Sequence, residues 1–379
     1  MPIYDTVKPA SRFKRGKMTW FSRTVLFFNY FAAVSLLLSW LAQYISPASF
    51  WLIAFFGISY QFILLFNAAF ALYWIFRWRK QVWIPVLAIA LTSFNIPRLF
   101  QVRLSNPAAP DKPIKVMSWN VRLFDLYNWS HNKLTRNRMF SFIKKEEPDI
   151  ACFQEYFQGD SGYFNTTDTL QQFLAARHVH VEFTLTMRQI QHWGIATFTR
   201  YPILGKGRID FEGKSNNICI YTDVLIGSDT VRIYNMHLQS FLFSKEDYKF
   251  VEDLEKDKEV DEIEGSMSIF KRMKKAFILR APQADVVASH IAVCPYRVIV
   301  CGDFNDTPFS YTYHRIKGSL GDSFMESGSG LGKTYFGNFP SFRIDYIFHS
   351  KGYRSYQYTT HPEDYSDHFA LTTLLSKAD

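Results

Sequence analysis

Two long apolar stretches without a single charged side chain, residues 24–45 and 50–76, constrain this chain more than any other feature. A helix rises only about 1.5 Å per residue, so crossing the hydrocarbon core of a bilayer takes roughly 20 apolar residues; core helices of soluble domains are rarely so long and so free of charge. Both stretches therefore read as transmembrane helices. A third, residues 82–102, has a shorter apolar run, carries Pro85 and Pro97, and spans only by taking in residues 98–101 or where the bilayer is locally thin, two spans being the alternative. Residues 1–103 are accordingly expected to form an all-α membrane domain with three helices, 24–45, 50–76 and 82–102.

Charge divides the chain at the same place. Residues 1–110 hold 11 of the 43 lysines and arginines but one acid, Asp5, of the 34; residues 111–379 hold 32 basic and 33 acidic side chains. The net charge of +9 thus belongs to the membrane segment, and the rest lacks the overall basic excess on which attraction to a phosphate backbone rests. Basic residues precede the first stretch and recur at Arg77, Arg79 and Lys80, whereas the loop Ser46-Pro47-Ala48-Ser49 has none. By the positive-inside rule the N-terminus and the second loop are cytoplasmic, and three crossings deliver the remainder to the exoplasmic side. A cleaved signal peptide fits less well, because no small-x-small site follows the first stretch. Residues 104–113, with Pro107, Pro110 and Pro113, read as a stiff linker that holds the following domain a short distance off the bilayer.

From residue 114 onward polar clusters stand at the ends of apolar strand-like runs. Val298-Ile299-Val300-Cys301 leads into Gly302-Asp303-Phe304-Asn305, where Asp303 and Asn305 share one face and Gly302 permits close backbone approach. Val116-Met117-Ser118-Trp119 ends on Asn120, and Ile150-Ala151-Cys152-Phe153-Gln154 ends on Glu155. Asn235 and His237 close a third run; Asp345 opens Asp345-Tyr346-Ile347-Phe348, and Asp367-His368 follow near the C-terminus. The four cysteines show no metal-ligand spacing and read as buried free thiols.

In this order, and with Trp193-Gly194-Ile195-Ala196-Thr197-Phe198-Thr199-Arg200-Tyr201-Pro202-Ile203 between them, these segments resemble the endonuclease/exonuclease/phosphatase superfamily of metal-dependent phosphodiesterases. The likeness runs over about residues 115–375. It implies an α/β fold, a four-layer α/β/β/α sandwich of two mixed sheets over 114–379, preceded here by the all-α transmembrane segment. It also implies a divalent cation, Mg2+ first with Mn2+ or Ca2+ as alternatives, held by Glu155 with Asn120 and supported by Asp367. Asp345 and His368 are implied as a dyad in which the carboxylate fixes the imidazole tautomer. His368 or Asp303 is then the base, Asn305 holds a non-bridging oxygen, and His237 stabilises the phosphoryl group or protonates the leaving group.

His237 points to the deoxyribonuclease and sphingomyelinase branches. The surroundings of Asp345 and Asn305 differ from the inositol 5-phosphatase pattern. The expected substrate is therefore a phosphodiester in nucleic acid or in a phospholipid head group, and the expected partners are that substrate and the lipid bilayer, with no protein partner inferred. The resemblance is to bacterial members, so the expected location is the inner membrane with the catalytic domain on the periplasmic side. The strand from Ile114 to Asn120 leads away from the anchor, which suggests a site facing away from the membrane. A charged insertion at about 243–278, acidic over 245–264 and basic at 271–275, reads either as a solvated helical hairpin or as a lid beside His237. A non-catalytic binding domain of the same fold is the alternative function; it is expected to have lost at least one of Glu155, Asp303, Asp345 and His368, and all four are present.

Overall fold

The computed structural model describes residues 18–103, 105, 107–110, 112–174, 177–213, 216–256, 261–337 and 342–378. The apolar N-terminal stretches fold as α1 (Trp20–Leu41), α2 (Leu52–Ile58), α3 (Tyr60–Phe76), α4 (Trp83–Thr92) and α5 (Ile96–Leu99). Helices that are apolar on every side need another source of specificity, and buried polar groups supply it. Trp74 Nε1 donates to Asn29 Oδ1 at 2.9 Å, and Asn67 Nδ2 donates to the Ala32 carbonyl at 2.9 Å. Ser22 and Tyr73 share a hydroxyl hydrogen bond of 3.1 Å, which sets the start of α1 beside the end of α3.

The helical segments Trp20–Leu41 and Lys80–Leu99 are long and apolar enough to cross a membrane, and α2 with α3 adds a third if the pair is one span. Residues 50–76, read from sequence as one helix, bend by 66° between α2 and α3. Ser59 at the break has φ −87° and ψ 1°. Packing explains why α2 leaves the axis: a Cβ added at Gly57 would stand 3.0 Å from Ala42 Cβ and 3.1 Å from the Phe309 carbonyl oxygen. Pro85 and Pro97 fall in the first turns of α4 and α5, where the lost N–H has little helical use.

Twelve strands build two six-stranded sheets. They are β1 (Ile114–Asn120), β2 (Ile150–Gly159), β3 (His178–Met187), β4 (Gln191–Thr199), β5 (Ile203–Ile209) and β6 (Ile218–Ile226). They continue with β7 (Asp229–His237), β8 (Arg297–Asp303), β9 (Gly321–Asp322), β10 (Asp345–His349), β11 (Tyr353–His361) and β12 (Ala370–Lys377). The sheet orders are β11-β12-β1-β2-β4-β3 and β5-β6-β7-β8-β10-β9. Both are mixed, with one parallel pair near each centre: Asn120 lies opposite Gln154 in β1/β2, and His237 opposite Asp303 in β7/β8.

Alternation along the strands produces three apolar layers. Val116, Ile150, Cys152 and Leu371 from the first sheet meet Val231, Ile233, Ile299, Cys301 and Ile347 from the second. The outer face of the first sheet, with Trp119, Phe153 and Phe198, is covered by α6 (Thr135–Glu146) and α7 (Thr166–Phe173). After α8 (Lys245–Glu255) come α9 (Glu262–Ala292), α10 (Tyr311–Lys317) and α11 (Ser323–Ser327); α9 and α10 cover the second sheet through Ala284, Val287, Tyr313 and Ile316. This is the expected four-layer sandwich. All four cysteines are free, and Cys152, Cys219 and Cys301 are buried, as their apolar surroundings led us to expect.

The helical part and the sandwich are in direct contact. The helices pack directly on the sandwich: the Tyr60 ring stacks on Phe309 at 4.0 Å and Phe55 on Phe270 at 4.8 Å. Arg98 Nη1 donates to the Pro308 carbonyl at 3.4 Å, and Arg343 Nη2 donates to the Arg98 carbonyl at 3.2 Å. Gln101 and Gly330 exchange two backbone hydrogen bonds of 2.9 Å. Stacked aromatic pairs and charge-assisted hydrogen bonds of this kind outweigh the stiffness of a short proline-containing linker.

Candidate active site

The polar strand ends converge at one edge of the sandwich. Asn120, last in β1 and buried, donates through Nδ2 to Glu155 Oε1 at 3.1 Å and to Asp303 Oδ2 at 3.0 Å, which ties the two sheets together. Its Oδ1 accepts from the Arg122 N–H at 3.1 Å. Glu155 lies in β2 where the register with β4 shifts between Phe153 and Tyr156, and it adopts φ 47°. A bulge of this kind re-aims a side chain out of the regular alternation.

Asp303 is last in β8 and buried. Gly302 before it has φ 151°, and a Cβ there would lie 2.2 Å from the Met236 carbonyl, so β7 and β8 approach only because the position is glycine. Asp303 Oδ1 accepts from the Asn305 N–H at 2.8 Å, and Asn305, at φ 54°, donates Nδ2 to the Leu238 carbonyl at 3.0 Å. Opposite Asp303 across the antiparallel β8/β10 pair stands Asp345. His368 Nδ1 lies 2.9 Å from Asp345 Oδ2 and 3.1 Å from Oδ1, which makes Nδ1 the protonated nitrogen and leaves Nε2, 3.7 Å from Asp303 Oδ2, facing the site. His237 Nε2 lies 3.7 Å from both Glu155 Oε1 and Asp303 Oδ2, buried and without a hydrogen-bond partner. Asp367 lies 3.5 Å from Arg122 Nε.

Thus Asn120, Glu155, His237, Asp303, Asn305, Asp345, Asp367 and His368, all singled out from the sequence, sit together. Residues that sequence reasoning missed support them. Arg122 pairs with Asp367, Thr334 Oγ1 accepts the N–H groups of Ile344 and Asp345 at 3.0 and 3.1 Å, and the Tyr335 ring packs edge-on against His368 at 5.1 Å. Arg122 follows Asn120 by two, and that spacing was its only sequence signal.

Electrostatics set the character of the site. Burial, reinforced by the neighbouring Asp345 carboxylate, pushes the Asp303 carboxyl up, although His368, His237 and Asn120 oppose the shift. Burial alone would lower the His368 imidazole, but the carboxylates of Asp345 and Asp303 hold it well above its ordinary value. Burial also raises Asp367, against the pull of His368 and Arg122. Four acids therefore crowd a site whose cationic groups are few, and an orphaned buried imidazole nitrogen points between two of them.

That donor set fits a hard divalent cation: it is rich in carboxylate oxygen, holds no cysteine, and carries buried acid whose ionisation such a charge would favour. Asp303, Asp345 and His368 can each offer an atom within 4.8 Å of the others. Asn120 and Glu155 lie beside that group, while Asp367 stands with Arg122.

Part of the sequence and the overall fold resemble known proteins. Residues 271–368 match the model described as "Endonuclease/Exonuclease/phosphatase family", and residues 22–99 match one described as "Domain of unknown function (DUF8431)". No curated protein matches the sequence. Among solved structures, an endonuclease/exonuclease/phosphatase from Beutenbergia cavernae is similar with a TM-score of 0.51 at 18% identity, over 70% of this chain and 72% of that one. The human Nocturnin catalytic domain gives 0.49 at 19% identity over 70% and 95%, and a mannosyl-6-phosphatase of Bacteroides thetaiotaomicron 0.47 at 17% over 69% and 99%. The two sheets therefore give the C-terminal domain the fold of the endonuclease/exonuclease/phosphatase structures, and residues 271–368 match that family's model.

Proposed function

We propose that the chain is a membrane-anchored, Mg2+-dependent phosphodiesterase. The observation that carries the reading is the convergence of Asn120, Glu155 and Asp303 in one hydrogen-bonded set, facing the Asp345–His368 pair. A phosphodiester repels nucleophiles through its anionic oxygens, so hydrolysis needs charge neutralisation, an activated water and a stabilised leaving group.

Glu155 and Asn120 would hold the cation, with Asp367 in support, and the cation supplies neutralising charge at the phosphoryl oxygens. Asp345 accepts the Nδ1 proton of His368 and fixes the ring so that Nε2 faces the reacting centre. From that centre either His368 Nε2 or the Asp303 carboxylate draws the proton of the attacking water. His237 Nε2, which has no protein hydrogen-bond partner, is free to donate to the phosphoryl or leaving oxygen. Asn305 orients a non-bridging oxygen. The positive charges at Arg77, Arg79 and Lys80 support the exoplasmic placement of this machinery.

The test is hydrolysis of bis(4-nitrophenyl) phosphate by the full chain in detergent, with Mg2+ or with EDTA, alongside His368→Ala. We expect release of nitrophenol that needs the metal and is lost in the variant. Turnover that persists in EDTA or in His368→Ala rejects the reading.

A further inference from the structure

The site opens into a cavity of about 400 Å³ whose other walls are apolar and come partly from the membrane helices. Glu155, Asp303, Asp367 and His368 line one side; Ile58, Ser59 and Phe62, from the bend between α2 and α3, line another, with Phe241, Leu242 and Met273. A strand leading away from the anchor suggested a site remote from the bilayer, and the packing of the helices on the sandwich reverses that expectation. No lysine or arginine is among the described residues that line the cavity. A track for nucleic acid needs such charges to follow the backbone.

The apolar wall continues out of the cavity. Phe62 is 42% exposed, and one turn further along the same face of α3 Leu65 and Phe66 are 67% and 63% exposed. These three positions form a rail on a helix that runs back along α1, whose length suits a bilayer. The α8–α9 hairpin, which reaches the cavity wall through Tyr248 and Met273, exposes Leu254, Ile263 and Met267, and Lys274 Nζ stands 4.3 Å from the Trp51 ring. Aromatic rings with nearby lysines are the side chains that settle at a membrane surface.

We propose that the substrate is a membrane lipid carrying a phosphoric ester, which reaches the site sideways from the bilayer. Its phosphoryl group sits at Glu155, Asp303 and His368, and its acyl or other hydrocarbon chains lie along Ile58, Phe62, Leu65 and Phe66. The bend at Ser59 opens the notch through which the head group passes from lipid to the catalytic edge. Water adds to phosphorus and the P–O bond to the leaving group breaks, that oxygen taking up a proton, so no oxidant or further reactant is required. This inference rests on the phosphodiesterase reading and narrows its substrate.

The experiment uses the full chain in nanodiscs of dioleoyl phosphatidylcholine containing dioleoyl phosphatidylglycerol or phosphatidylethanolamine. Controls are the same head groups on water-soluble dibutyryl glycerol, a single-stranded oligonucleotide, and bis(4-nitrophenyl) phosphate. We expect cleavage of a dioleoyl lipid at least about tenfold faster than of its dibutyryl form, a preference that Phe62→Glu collapses and Phe62→Leu keeps. If Phe62→Glu is silent on every substrate, the wild-type preference alone decides. Equal rates on long and short chains, or faster cleavage of the oligonucleotide, overturn the lipid substrate while leaving the hydrolase intact. No turnover of any ester, bis(4-nitrophenyl) phosphate included, rejects the hydrolase itself.

Discussion

Glu155 is held at φ 47°, a backbone region that costs a non-glycine residue about 1–3 kcal/mol when the surroundings impose it. The same bulge turns its carboxylate onto Asn120 and His237, into a site already crowded by Asp303 and Asp367. Glu155→Gln keeps the shape and removes one of the repelling charges. We therefore expect an unfolding temperature equal to or above that of wild type without metal, an upward shift on adding Mg2+ in wild type that the variant lacks, and turnover lower by about 10²–10⁴-fold. Thermal shifts with and without Mg2+, read beside the rate, check this; wild-type turnover in the variant would sink the assignment. The convergence of these eight candidate residues was legible because each ends or flanks an apolar strand run, and alternation places such residues at a sheet mouth. Thr334 was not legible: its hydroxyl matters only because folding brings it to the N–H groups of residues ten and eleven positions on. Tyr335 depends likewise on an edge contact with His368 across the fold.

The α8–α9 hairpin shows what a charge pattern reveals at the level of an element and what it hides. Its acidic residues suited both a solvated face and a lid, and periodicity could not decide, because Tyr248 and Met273 meet in the cavity wall although they lie in different helices. One buried acid fastens the pair. Asp247 Oδ2 accepts from the Ser244 N–H at 2.7 Å in a capping box, Oδ1 accepts from Ser268 Oγ at 2.7 Å, and Arg272 Nε lies 2.7 Å away. Burial pushes this carboxyl up, but the hydrogen bonds from Ser244 and Ser268 and the Arg272 charge more than offset it, so it titrates below its ordinary value of 3.8. A depressed carboxyl stabilises the fold above its unfolded value and loses that contribution as pH falls through its folded value. The protection of α8 amides, taken relative to their intrinsic exchange rates, should therefore fall as pH drops from about 5 to about 3. Asp247→Asn, which leaves Arg272 with only the Leu242 carbonyl and no carboxylate partner, should cost about 1–3 kcal/mol and loosen α8 at both pH values. Protection of α8 that is unchanged in this variant would show that the hairpin is held elsewhere.

At the scale of the whole molecule the two ends of the helical part differ in kind. Tyr44, Trp51, Phe55, Tyr60 and Arg98 touch the sandwich through His314, Phe270, Phe309 and Pro308. Arg77, Arg79 and Lys80 lie at the other end, near the start of α1, as the contacts of Ser22 with Tyr73 and of Gln81 with Met18 place them. If that basic end is cytoplasmic, an alkaline phosphatase joined after Asp379 is active in cells and a fluorescent protein exported in unfolded form by the same fusion is dark; the opposite pattern puts the catalytic domain inside. None of the contacts between helices and sandwich was legible from sequence, since Phe270, Phe277 and Phe309 read equally well as ordinary core residues. Their packing makes the helices part of one folded body with the sandwich. A fragment starting at residue 112 keeps every strand-end residue of the site, so it should still cleave a small soluble phosphodiester. It also uncovers Phe270, Phe277 and Phe309, which Phe55 and Tyr60 cover in the full chain. Exposed aromatic patches of this sort associate, so the fragment should self-associate in light scattering, return to a monomer in mild detergent, and unfold at a lower temperature than the full chain. A fragment that stays monomeric without detergent and matches the full chain in stability would show that the helices only tether the domain, and the apolar cavity wall would then lose its claim on the substrate.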